Sequence, residues 1–135
     1  MFNRANLTIE FEADSAVGNY MHVAVVSDTY EQTIVPTSSK KYKLSLPIEL
    51  PETIQLKFSN KTVHDTLVDE NNQITADTYI KISRIAIDGF PLSDVYLQQK
   101  ILLITESNDQ VYSNYIGFNG TVDLVFDRDT VIGQV

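Results

Sequence analysis

Apolar and polar residues alternate along most of the chain. Leu7, Ile9 and Phe11 alternate with Thr8, Glu10 and Glu12, and Tyr42, Leu44, Leu46, Ile48 and Leu50 with Lys43, Ser45, Pro47 and Glu49. Ile54, Leu56 and Phe58 alternate with Gln55 and Lys57, and Val122, Leu124 and Phe126 with Thr121, Asp123 and Val125. Successive strand side chains point to opposite faces, so a period of two sends one set to a core and the other to water. No window holds a helical period for long; residues 93–99 suit one short turn of helix. Residues 22–26 and 101–104 are apolar on both faces. They read as central strands covered on both sides, or as strands facing a partner. Ile80 and Ile82 share one phase of alternation while Ile85 and Ile87 share the other, which predicts a β-bulge near Ser83 and Arg84.

Turn chemistry separates these runs. Residues 70–73, Glu-Asn-Asn-Gln, read as a hairpin, residues 88–91, Asp-Gly-Phe-Pro, close the strand that follows, and residues 106–110 form a polar loop. Asn119-Gly120 is a hairpin dipeptide. Pro47 has no N–H for a ladder, so its strand belongs at a sheet edge or breaks there. The pattern predicts an all-β fold over residues 1–135: a single jelly-roll-like antiparallel β-sandwich domain of about eight to nine strands.

Composition narrows the function. The chain has 135 residues, no cysteine and a formal charge of −8. Nucleic-acid backbones are bound by clustered lysine and arginine, so the charge argues against a nucleic-acid partner. No stretch has the length of a membrane span, so no membrane partner is expected, and the N-terminal residues hold no apolar run of signal-peptide length that would support export. Without cysteine there is no disulfide framework and no thiolate nucleophile. No phosphate-binding loop, metalloprotease motif or nucleophile elbow is present, and the chain is expected to bind rather than catalyse.

Residues 54–89 resemble the second half of calcium-dependent xylan-binding modules, which are small jelly rolls. The matching pieces are Phe58-Ser59-Asn60, the acidic stretch 65–77 and the strand 80–89. Asp77-Thr78-Tyr79 stands where those modules carry Asp-Arg-Asn, and the glycine-punctuated loop is missing. The same stretch, together with Tyr115-Ile116-Gly117-Phe118-Asn119-Gly120, also looks like small bacteriophage-encoded β-sandwich proteins. That resemblance implies a virion structural protein: a capsid decoration, head-fibre or neck and tail appendage subunit. Its partners would be other virion proteins, with homo-oligomers or repeated copies on a particle assembled in the host cytoplasm. This is the leading expectation. The alternative is a carbohydrate-binding module with a glycan partner and calcium as cofactor.

Each candidate site has two readings. Asn60, Asp65, Asp69, Asn71 and Asp77 supply the oxygen donors that calcium takes from flexible loops. The same residue types also serve hairpin turns through side-chain-to-backbone hydrogen bonds. With no tryptophan, tyrosine is the remaining candidate for stacking on a sugar, and Tyr79, Tyr112 and Tyr115 lie beside polar loops. Tyrosine in a small sandwich also sits half-buried with its hydroxyl at the rim. Subunit contact is expected from residues 21–26 and 101–104 and from the uncharged tail with Val131, Ile132 and Val135. The tail would add to a neighbour's sheet edge or complete its own sheet.

Overall fold

The computed structural model describes residues 4–127, and these form two antiparallel sheets with apolar inner faces. One sheet has the order β12-β8-β1-β4, from strands β1 (Arg4–Asp14), β4 (Lys40–Glu49), β8 (Tyr79–Ile87) and β12 (Tyr115–Ile116), with β9 (Phe90–Pro91) paired to β8. The other has the order β11-β10-β13-β5-β2-β3. Its strands are β2 (His22–Val26), β3 (Glu31–Ile34), β5 (Glu52–Ser59), β10 (Leu102–Thr105), β11 (Gln110–Tyr112) and β13 (Gly120–Phe126). A small third hairpin pairs β6 (Leu67–Val68) with β7 (Ile74–Ala76). The chain passes repeatedly from one large sheet to the other, so the sandwich is jelly-roll-like.

Thirteen strand segments occur among the described residues, more than the eight or nine that the alternation predicts. The excess consists of β6, β7, β9, β11 and β12, each of two or three residues. Segments that short carry no readable period.

The long strands follow the alternation. Leu7, Ile9 and Phe11 of β1, Leu44, Leu46 and Ile48 of β4, and Ile54, Leu56 and Phe58 of β5 are all buried. So are Val122, Leu124 and Phe126 of β13, and all belong to one hydrophobic cluster between the sheets. Pro47 lies exposed on β4, at the edge of its sheet, where its missing N–H costs no ladder bond. Asn72 takes a left-handed φ of 61° in the β6–β7 turn, and Asp88 and Gly89 do the same, at 51° and 84°, between β8 and β9. The short helix α1 (Asp94–Gln99) is capped by Ser93, whose side chain accepts from the Tyr96 N–H.

The bulge is where the isoleucine phase shift places it. Glu10 of β1 pairs with Arg84 and Phe11 with Ile82, which leaves Ser83 as the extra residue. Its hydroxyl donates to the Glu10 carbonyl at 3.2 Å. Ile80, Ile82, Ile85 and Ile87 therefore all face the core.

Two expectations need correction. The doubly apolar runs are not covered on both faces. Val23, Val25 and Leu103 are buried, whereas His22, Ala24, Val26, Leu102 and Ile104 are half-buried on the outer face. Both strands run inside their own sheet, β2 between β5 and β3, and β10 between β13 and β11. Asn119-Gly120 is not a hairpin turn, because it joins β12 to β13 across the two sheets. Gly120 is needed there for close approach: a Cβ would sit 2.2 Å from the Ile104 carbonyl oxygen. The tail residues Val131, Ile132 and Val135 lie outside the described residues. No helix among the described residues is long and apolar enough to cross a membrane.

Deleting Ser83 removes the phase shift and turns one isoleucine pair of β8 to solvent. The expected loss is about 3–6 kcal/mol, at roughly 1.5–3 kcal/mol per side chain. Ser83→Ala removes only a side-chain hydrogen bond and is expected to cost about 1 kcal/mol. Urea denaturation of both variants checks the contrast.

Candidate functional site

At one end of the sandwich, loops from both sheets converge on the segment that follows β5. Asn60 turns the chain with a φ of 76°. Its amide donates to Asn19 Oδ1 at 3.0 Å and to the Tyr20 carbonyl at 2.9 Å. Asn19 donates in return to the Asn60 carbonyl and to Asp65 Oδ2, at 3.0 and 2.9 Å. Asp65, only 1% exposed, also accepts from the N–H and the hydroxyl of Thr62. That completes a capping box around the 3-10 turn Val63–Asp65. His64 is exposed, and its N–H donates to the Thr62 hydroxyl at 3.3 Å.

Lys61 is held along its whole length. Its N–H donates to Asn119 Oδ1 at 3.0 Å, and its carbonyl accepts from Asn119 Nδ2 at 2.8 Å. The asparagine amide thus imitates a neighbouring strand. The ammonium reaches Asp77 Oδ1 at 2.7 Å and the Gly117 carbonyl at 2.6 Å. Its side chain is 10% exposed and lies 5.9 Å from the centre of the Phe118 ring, within cation–π range.

Asp77 is the hub. Its Oδ1 also accepts from the Thr66 hydroxyl at 2.6 Å and the Thr78 N–H at 2.9 Å, while Oδ2 accepts from the Tyr115 hydroxyl at 3.1 Å. Tyr115 stacks on Tyr79, with ring centres 4.6 Å apart and planes inclined by 25°. A Cβ at Gly117 would lie 3.2 Å from the Tyr115 ring, so a larger residue there would press on that stack.

These contacts shift the titrations. Burial pushes the Asp77 carboxyl up, but the Lys61 hydrogen bond, the Thr66 hydroxyl, the Lys61 charge and the Thr78 N–H outweigh it and leave the pKa lowered. Burial likewise opposes ionisation of Asp65, and the Thr62 N–H, the Asn19 amide, the Thr62 hydroxyl and the Lys61 charge overcome it. Burial raises the Tyr115 phenol, helped by the Asp77 charge, so Tyr115 stays a proton donor. The Tyr79 phenol is raised by burial and by the charges of Asp14 and Glu12.

Beside this hub opens a groove of about 820 Å³. That volume lies within the range of small-molecule sites, about 300–1,000 Å³. Lys61, Thr66 and Asp77 give it a polar floor; Val63, Ile74, Tyr115 and Phe118 give it apolar walls, and Glu106 and Asp109 line it as well. Val63 and Phe118 are strongly exposed, at 86% and 60%. Apolar side chains left in water around a concave polar floor are what a binding site retains.

The sequence-level candidates divide. Tyr115 lines the groove, while Tyr79 supports it from behind and reaches Asp14. Tyr112 does not line it: on β11 the groove side belongs to Val111, and Tyr112 alternates away. Among the proposed calcium ligands only Asp77 lines the groove. Asp69 Oδ1 caps the β6–β7 hairpin by accepting from the N–H groups of Asn71 and Gln73, and Asn71 itself is exposed. Asn60 and Asp65 are spent on the Asn19 network. Among the described residues, no three of His, Cys, Asp or Glu come together in a metal-binding group. The donor set does not fit a calcium ion, because the residues serve separate hydrogen-bond networks and an ammonium already sits against Asp77. Lys61, Thr66, Phe118 and Asn119 were missed from sequence. The signal available was one lysine just ahead of the acidic stretch, and an aromatic residue in a loop between two glycines.

No protein-family model matches the chain, and no curated protein matches its sequence. Two solved structures share the fold. One is the selenomethionine form of vCBM60, from a study of circular permutation linking two families of calcium-dependent carbohydrate-binding modules. It aligns over 90% of each chain with a TM-score of 0.55 and 14% identity. The other is vCBM60 in complex with galactobiose, with a TM-score of 0.52, 15% identity and coverage of 89% of this chain and 97% of that one. Both are carbohydrate-binding modules, and at 14% and 15% identity the likeness shows a shared β-sandwich fold.

The lowered carboxyls make stability pH-dependent. Asp65 and Asp77 stabilise the fold fully above the unfolded pKa, about 3.9, and that contribution is lost as pH falls through the lower folded values. Asp65→Asn is expected to be less stable at neutral pH and to lose stability less steeply below about pH 4. Urea midpoints measured across that range check this.

Proposed function

We propose that this chain is a carbohydrate-binding module that acts by adhesion and not by catalysis, with the groove beside Asp77 as its ligand site. The observation that carries this reading is the make-up of the groove. Its polar floor is built from Lys61, Thr66 and Asp77, and exposed Phe118 and Tyr115 stand beside it. A sugar ring has an apolar C–H face and a rim of hydroxyls. The aromatic walls take the face, and the charged floor takes the hydroxyls. The fold shared with vCBM60, and galactobiose as a ligand of that protein, support the reading.

The sandwich supplies rigidity. Tyr115 is fixed by its stack on Tyr79 and its bond to Asp77, and Lys61 by the Asn119 clamp. A preformed site loses little side-chain freedom on binding. The narrower reading, a repeated subunit on a phage particle, draws support only from the sequence resemblance.

Titration calorimetry against neutral oligosaccharides, galactobiose among them, tests the proposal. Binding to at least one is expected. Phe118→Ala should weaken it about tenfold, the equivalent of ~1.4 kcal/mol. Tyr112→Ala should leave it unchanged. A chain that binds none of them, or that loses binding equally in both variants, would overturn the assignment.

A further inference from the structure

The floor of the groove already contains a cation. We propose that the Lys61 ammonium takes the place a bound metal would fill, and that with Asp77 it grips two neighbouring hydroxyls of a neutral sugar without calcium. This rests on the carbohydrate-binding reading and narrows it to a metal-independent mechanism and a ligand class.

Donor accounting comes first. An ammonium has three N–H donors. Among the described residues two are used, on Asp77 Oδ1 and on the Gly117 carbonyl. One remains, on a side chain that lines the groove. Asp77 Oδ2 accepts only from the Tyr115 hydroxyl among the described residues, and a carboxylate oxygen can accept more than one bond. The ion pair therefore offers one spare donor beside one spare acceptor. Adjacent sugar hydroxyls match that pair, because one accepts from Lys61 while its neighbour donates to Asp77. Both contacts are charge-assisted and stronger than bonds between neutral groups.

The same arrangement disfavours calcium. The ion takes about six to eight oxygens. The floor groups around the ammonium are the Asp77 carboxylate, the Thr66 hydroxyl and the Gly117 carbonyl. A divalent ion at Asp77 would also meet the Lys61 charge, held 2.7 Å from Oδ1 and shielded from solvent. Charge selects the ligand class in turn. Glu106 and Asp109 line the groove, and the whole chain carries −8, so a uronic acid is repelled where a neutral sugar is not.

Three measurements test this. Calcium chloride alone is titrated into the native chain by calorimetry, with no saturable heat expected. The tightest neutral oligosaccharide from the panel is then titrated in EDTA and again in excess calcium, with equal affinities expected. Lys61→Met is titrated under both conditions, and at least a tenfold loss is expected, while Phe118→Ala keeps its own calcium-indifferent loss. Saturable calcium binding, or sugar binding abolished by EDTA, would overturn the inference yet leave carbohydrate binding intact. Native affinity in a folded Lys61→Met would also overturn it. If Lys61→Met does not fold, the first two titrations on the native chain decide. If no oligosaccharide binds, the proposed function fails, and the calcium titration still decides whether the ammonium excludes the metal.

Discussion

The bond between Lys61 and Asp77 ties the two sheets together where the loops meet. Lys61 follows β5 in one sheet, and Asp77 precedes β8 in the other. A carboxylate removed from water is costly unless its oxygens are filled. At Asp77 an ammonium, a hydroxyl and a backbone N–H donate to Oδ1, and a second hydroxyl donates to Oδ2. Its donors come from the segment after β5, from the stretch between the 3-10 turn and β6, from the residue just ahead of β8 and from β12. Removing either charge would leave the other partly buried and unpaired, so the pair constrains shape as well as charge.

Core and site divide the work differently along the chain. The sheets are held by apolar side chains in strict register, and one inserted residue, Ser83, lets β8 keep four isoleucines inward. The loop end is held by polar side chains standing in for backbone: Asn119 against Lys61, Asn19 against Asn60, and Asp65 against the turn that Thr62 opens. Hydrogen bonds are directional where apolar packing is not. That directionality fixes loops that have little core of their own.

This division explains what was legible in the sequence. Period-two alternation depends on neighbours along the chain, so β1, β4, β5, β13 and the bulge could be read in advance. Pro47 marked its edge strand for a similar reason, since the missing N–H is a local property. The site depends on pairs far apart in sequence: Lys61 with Asp77 and Gly117, or Tyr115 with Tyr79. No local pattern reports such pairs. Asn60, Asp65, Asp69 and Asn71 drew attention as oxygen donors, but their oxygens and amides largely shape turns, which is the commoner use of these residue types. Tyr112 and Tyr115 looked equivalent from sequence, and only strand alternation on β11 separates them.

The central claim is that a neutral sugar lies on the Lys61–Asp77 floor between Tyr115 and Phe118, with no metal. Chemical-shift mapping by NMR, with a neutral oligosaccharide added in EDTA, tests it most directly. The account predicts saturable shifts centred on Lys61, Asp77, Tyr115, Gly117 and Phe118, and none around Tyr112. Shifts that appear only when calcium is restored, or that centre elsewhere on the sandwich, would contradict it.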